Sequence, residues 1–231
     1  FNGQIGYFTQ FDFSQTDKSS TKVSQAYIKY TFDKISVRIG QFSNIIGMEL
    51  NNLSSKSFFM ENSSPTDAFL SKEHFGINFN FMHSRECVFS FFALYPDLNK
   101  KLGEEDNDKL SFMARCFFVP YIDLISVLHF GINFQYSDCY NIPYVIDSGM
   151  EVRSRDFSID KTQKLVNTGS KKIAIRNRSL ILEFATGYHS VTMQGEYFFD
   201  IVDWDPPIES GNYKGWYLQF GYLITGEKRN Y

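Results

Sequence analysis

The sequence offers no segment able to cross a membrane as a helix. Its most apolar stretch, residues 112–134, is interrupted by Arg115, Pro120, Asp123 and His129, whereas a helical span needs about 20 apolar residues in succession. Cysteine is scarce: Cys87, Cys116 and Cys139 are all there are, too few for an even-numbered disulfide framework and without the spacing of a zinc site. No excess of basic residues exists either. Lys and Arg number 23 against 26 Asp and Glu, for a net charge of -3, and no basic stripe of the kind a nucleic-acid binder presents is visible. No charged leader with an apolar centre precedes the first strand pattern, so a secretion signal is expected upstream or already removed.

Aromatic rings are abundant. The 25 Phe, 14 Tyr and 2 Trp make up 18% of the residues, more than a small soluble core uses but suited to a lipid-facing wall with interfacial girdles. They recur with a period of two. Over residues 127–137, Leu128, Phe130, Ile132, Phe134 and Tyr136 alternate with His129, Gly131, Asn133, Gln135 and Ser137. From 75 to 81, Phe and Ile alternate with Gly76, Asn78 and Asn80; from 26 to 32, Ile28, Tyr30 and Phe32 oppose Tyr27, Lys29 and Thr31. The same alternation runs through 5–13, 35–41, 87–95, 110–118, 180–184, 191–201 and 216–224, with a further strand around 150–157. About eleven strands of about ten residues result, the length a tilted strand needs to cross a bilayer.

A soluble β-sandwich also alternates, but its strands average about five or six residues. If these strands lie in lipid, a closed barrel is the arrangement that satisfies their backbone. Connections support it: short links near residue 33, at 83–85 and at 120–123 alternate with long ones at 14–21, 43–72 and 96–108, as in outer-membrane barrels. The short link at 187–189 keeps that alternation if 138–171 adds no strand, or two. No helix signature, repeat or low-complexity linker is visible, and residues 1–231 read as one all-β domain.

Several segments carry a family likeness. Residues 26–30 (AYIKY) precede 37–42 (VRIGQF); Gly47-Met48-Glu49, Ser54-Ser55 and Met60-Glu61 follow in one long connection; Arg153-Ser154-Arg155 precedes Asn167-Thr168-Gly169; and Thr225-Gly226-Glu227-Lys228-Arg229 closes the series. In order and spacing these resemble the phosphate-selective porin O and P family, with Asn62 where the family has Arg and Asp156 where it has Pro. The resemblance implies a transmembrane antiparallel up-and-down β-barrel of about sixteen strands in the bacterial outer membrane, of which these residues are an internal segment lacking the first and last strands. It further implies a homotrimer embedded in outer-membrane lipid, passing small anions.

Pore chemistry lies in charges placed at a constriction. Parity puts Lys29, Arg38 and Arg115 on the polar face, together with Asp12, Glu183 and Glu196; Arg153 and Arg155, two apart, share one face. A guanidinium fork matches a phosphate oxygen pair. The 43–72 connection, carrying Glu49, Lys56 and Glu61, is too long to be an idle link; it either folds inward to narrow the pore or covers the mouth or a subunit contact. Cys87 and Cys116, facing lipid on neighbouring strands, suit a disulfide or a packed apolar pair.

Three readings follow. The first is a passive diffusion channel for small hydrophilic solutes, anions including phosphate, needing no cofactor, metal or covalent step. The second is a structural or adhesive barrel whose external loops bind a ligand. The third is a barrel-borne lipid hydrolase, which would need an outward Ser–His–Asn set at the rim, with His129 or His189 as base; the pattern favours a channel over an enzyme.

Overall fold

A computed structural model of the chain describes residues 3–12, 22–43, 45–51, 57, 59, 61–70, 73–84, 87–95, 111–123, 125–144, 146–149, 164–167 and 172–226. Ten antiparallel strands form one sheet in simple sequential order. They are β1 (Gln4–Asp12), β2 (Lys22–Phe32), β3 (Ile35–Ser43), β4 (Glu73–Ser84), β5 (Cys87–Tyr95), β6 (Ser111–Ile122), β7 (Ser126–Tyr144), β10 (Lys172–Tyr188), β11 (Val191–Trp204) and β12 (Gly211–Tyr222). Each pairs with the next along the chain, and β1 and β12 are the two edges. Between β7 and β10, β8 (Asp147–Gly149) and β9 (Lys164–Asn167) pair in a separate two-stranded sheet. Residues 138–144 continue β7, and the described residues between Tyr144 and Lys172 add two strands to each other and none to the main sheet, so short and long links alternate. The strand expected around 150–157 lies outside the described residues.

Period-two sequence becomes a two-faced sheet because successive side chains point to opposite sides. Phe130, Ile132 and Phe134 on β7 are 46%, 49% and 48% exposed, while Asn133 between them is wholly buried. The outward face is a continuous apolar wall. Near the tight-turn end it carries exposed Tyr121, Tyr188 and Tyr222, a girdle of rings with a polar tip where such a wall meets water. β7 and β10, with 19 and 17 residues, extend well past the ten or so expected.

The tight turns sit at one end. β2–β3 and β10–β11 are joined by two-residue loops, Phe32 pairing with Ile35 and Tyr188 with Val191. Each loop opens with a residue at positive φ, Asp33 at 48° and His189 at 50°, as a twisted hairpin demands. Between β6 and β7, the Asp123 carboxylate accepts hydrogen bonds from the backbone N–H groups of Ile125 and Ser126, both at 2.7 Å, and from the Ser126 hydroxyl. These donors, Ile125 foremost, hold its carboxyl below the usual range.

Two short helices interrupt the 43–72 connection where none was expected: α1 (Met48–Asn51) and α2 (Ser64–Phe69). At four and six residues they are too brief to show a period of 3.6. A local signal existed, since the Ser63 hydroxyl caps α2 by accepting the Thr66 N–H and Pro65 stands in the first turn. Both helices lie against the inward face. There Phe69 stacks on Phe198 at 5.7 Å, and Ile46 and Leu70 join Phe42, Met113, Ile181 and Tyr217 in a buried cluster.

Candidate functional site

Strand register determines which polar groups meet on the inward face. One row across the sheet reads Gly131 on β7, Glu183 on β10, Glu196 on β11 and Tyr217 on β12. The next row toward the long loops reads Arg115 on β6, Asn133, Ile181 and Phe198. Two carboxylates directly opposite each other would repel, and their neighbours show how the fold accommodates them.

Glu183 accepts from Arg115 Nη2 at 2.8 Å and Asn133 Nδ2 at 2.7 Å, and its Oε2 lies 3.1 Å from His129 Nε2. The carboxylate occupies space above Gly131, where a Cβ would collide with it. Glu196 turns toward the loop. It accepts the Met48 N–H at 2.6 Å, the Glu49 N–H at 3.0 Å and the Tyr217 hydroxyl at 2.6 Å. These two backbone donors open α1 and have no partner within it. Glu49 repeats the pattern one step out: its carboxylate accepts from the Ser63 N–H and hydroxyl and from Gln219 Nε2. Arg115 completes the seat by donating from Nη1 to the Ile45 carbonyl at 3.0 Å. Residues 45–49 are therefore bound to strands β6, β7, β11 and β12 through side chains that strand parity placed inward, and the start of α2 is tied to them through Ser63 and Glu49. Gly47 is the hinge of this approach. Its φ of +82° suits glycine, and a Cβ there would collide with Leu70.

The charges named from sequence fall into three groups. Arg115 shares the inward face with Glu183 and Glu196, but its side chain is only 10% exposed and is committed to Glu183 and the loop. Glu49 is buried at the loop seat, whereas Glu61, half-buried, precedes the α2 cap. Lys29 and Arg38 pair directly across β2 and β3. Lys29 is exposed; Arg38 donates to Asn78 Oδ1 at 3.0 Å and lies over the Tyr27 and Phe42 rings at 5.7 and 5.5 Å. Lys56, Arg153 and Arg155 lie outside the described residues, as does the Asp12 side chain.

Sequence reasoning passed over Asn133, Tyr217, Gln219 and Ser63. The polar side of the alternation already contained the first three, but nothing in it said which strand positions the loop would reach. His129 is buried and stacked on Phe117, which does not place it at an outward rim; His189 sits in a turn beside Ser190. Cys87 and Cys116 are free thiols. Cys116 stands opposite Phe89 and Cys87 opposite Phe118, so they are diagonal neighbours rather than facing ones, because the β5–β6 register is offset by two residues.

An up-and-down antiparallel sheet with an apolar outer wall, a polar inner face, tight turns at one end and a long loop folded inward is the architecture of a porin. No curated protein matches the sequence. The family described as phosphate-selective porin O and P matches residues 1–231, the whole chain. The chain therefore belongs to the phosphate-selective porin O and P family, a family of channels rather than enzymes in the outer membrane of Gram-negative bacteria.

Proposed function

We propose that this porin is a passive channel for small hydrophilic solutes that favours anions, phosphate among them, with the seated 45–70 segment narrowing the path and Lys29 and Arg38 supplying the attraction. The observation that carries this reading is the inward loop. Main-chain groups of Ile45, Gly47, Met48 and Glu49 are tied to the wall at Arg115, Asn133 and Glu196, so the segment occupies interior space rather than the rim. Three buried carboxylates (Glu49, Glu183, Glu196) share one guanidinium there, so the seat itself does not attract anions. Lys29 and Arg38 do, with Lys29 open to solvent and Arg38 held by Asn78 in a fixed orientation. A guanidinium and an ammonium on adjacent strands offer several donors to a tetrahedral oxyanion.

Bilayer conductance in a salt gradient tests this. The expected reversal potential has the anion sign, phosphate reduces chloride current, and Lys29→Glu with Arg38→Glu moves the potential toward cation selectivity. Current steps grouped in threes would report a homotrimer. An unchanged potential in the double variant would overturn the role of these two residues. A complete lack of current steps would favour the structural or adhesive barrel, with the inward loop as its plug.

A further inference from the structure

One row above the loop seat, the inward face holds a carboxylate with no evident purpose in conduction. Asp200 on β11 is wholly buried, and the groups that reach its carboxylate are neutral hydrogen-bond donors rather than a cation. Register places Ser179 on β10 directly beside it and Gln135 on β7 beside Ser179. Both are also buried; Ser179 lies against the Asp200 carboxylate as a hydrogen-bond donor, and Gln135 Oε1 has no hydrogen-bond partner among the described residues. The Gln135 amide nitrogen is committed to the Ser137 hydroxyl at 3.0 Å, which leaves its carbonyl oxygen directed elsewhere. Cross-strand neighbours on one face stand about 5 Å apart at Cβ, so the oxygens of three adjacent strands can converge above Ser179. Asn177, two residues along β10, flanks the same carboxylate.

No described cation answers the charge. Arg115 is engaged with Glu183 and the Ile45 carbonyl, while Arg178 pairs with Asp203 at 2.9 Å and Lys214 lies over the Phe199 ring. Tyr213 is opposite Asp200 in register, but its hydroxyl is 2.8 Å from where a Gly211 Cβ would sit, leaning along its own strand. A roof closes the place off. Phe198 and Val202, two residues either side of Asp200 on the same face, are wholly buried and are covered by Phe69 and Ala68 of α2. A buried carboxylate stays ionised only where a cation or metal compensates its charge, and otherwise takes up a proton.

We propose that Asp200, Ser179 and Gln135 form a resident site for a hard monovalent cation of the sodium class beneath α2. The ligand set is all oxygen, which selects hard ions, and one carboxylate neutralises one positive charge, leaving no net charge in a buried place. The site bolts the sheet to the underside of the loop and is independent of the pore charges at Lys29 and Arg38.

The test is the unfolding temperature of the full-length protein in detergent micelles, in sodium, potassium and choline chlorides at equal ionic strength. Saturable stabilisation by sodium over choline of roughly 5 °C is expected, absent in Asp200→Asn and weakened in Ser179→Ala. Gln135→Glu adds a second carboxylate and should transfer the stabilisation to calcium. If Asp200→Asn fails to fold, Gln135→Glu and Ser179→Ala still decide the matter. Wild-type stability indifferent to the cation would overturn the proposal, as would a sodium response surviving in Asp200→Asn, or an Asp200→Asn protein equally stable in all three salts and no weaker than wild type in sodium.

Discussion

Lys29 and Arg38 on β2 and β3, and Arg115 on β6, point to the same face of the same sheet, yet their surroundings differ in kind. Around Lys29 and Arg38 the inward face is more open: Lys29 is exposed and Arg38 half-buried, held by one amide oxygen and two rings. On the later strands the face is covered by α1 and α2, and Arg115 lies beneath them against Glu183. Parity assigns a side chain to a face, and what lies over that face then assigns its work. An exposed cation remains available to a passing solute, whereas a covered one is a structural tie.

The sharpest way to break this contrast is to neutralise each cation in turn. Arg115→Met leaves Glu183 buried with His129 and Asn133 as its remaining partners, and unpairing a buried charge costs about 3–5 kcal/mol. Thermal unfolding in micelles should fall by roughly 10 °C. Arg38→Met removes one hydrogen bond and two cation–π contacts at a half-buried site, about 1–2 kcal/mol in all. It should lower the unfolding temperature by only a few degrees, about 2–8 °C, while reducing anion preference. Equal thermal losses in the two variants would dissolve the distinction between tie and attractor.

A second, smaller effect separates the loop from its wall. Glu196→Ala strips acceptors from the Met48 and Glu49 N–H groups and from the Tyr217 hydroxyl. Loss of such a partner costs about 1–3 kcal/mol where the donor stays buried, but here the segment can leave the wall and rehydrate, so a net loss of about 2 kcal/mol is expected. Single-channel conductance should rise and its noise increase, because the narrowing element is no longer held. Unaltered conductance would mean that the seated segment does not limit the path.

The same contrast explains what was legible in the sequence. Alternation at Phe130, Ile132 and Phe134 against Asn133 and Gln135 gave the faces, and the spacing of Asp33, Asp123 and His189 gave the tight turns, because both are local consequences of backbone geometry. Glu183 and Glu196 were correctly placed inward, but their opposed pairing depends on the register of β10 against β11, set by a two-residue loop whose type the sequence only suggests. The loop seat was out of reach for a further reason. Glu196 meets Met48 across 148 positions of sequence, and no periodicity reports a contact made by irregular backbone. Gly47 and the Ser63–Pro65 cap were the local hints, each too common to locate a binding surface alone.

Exposure, however, does not by itself make a charge available, and the β6–β7 turn tests that limit of the comparison. Asp123 is fully open to solvent, like Lys29, but it receives two backbone N–H groups and a hydroxyl. These donors favour the ionised form, so its folded-state value lies below the unfolded carboxylate value of about 3.9. The sign follows directly: the turn's stabilisation is complete above the unfolded value and is lost as pH falls through the depressed folded one. The Ile125 and Ser126 amide shifts, followed by NMR through an acid titration, should hold their neutral-pH positions below pH 3.9 or so, and Asp123→Asn should abolish the transition. A midpoint at the ordinary carboxylate value would show that an exposed acid here is as free as an exposed lysine on β2, and the contrast between pinned and available charge would then reduce to burial alone.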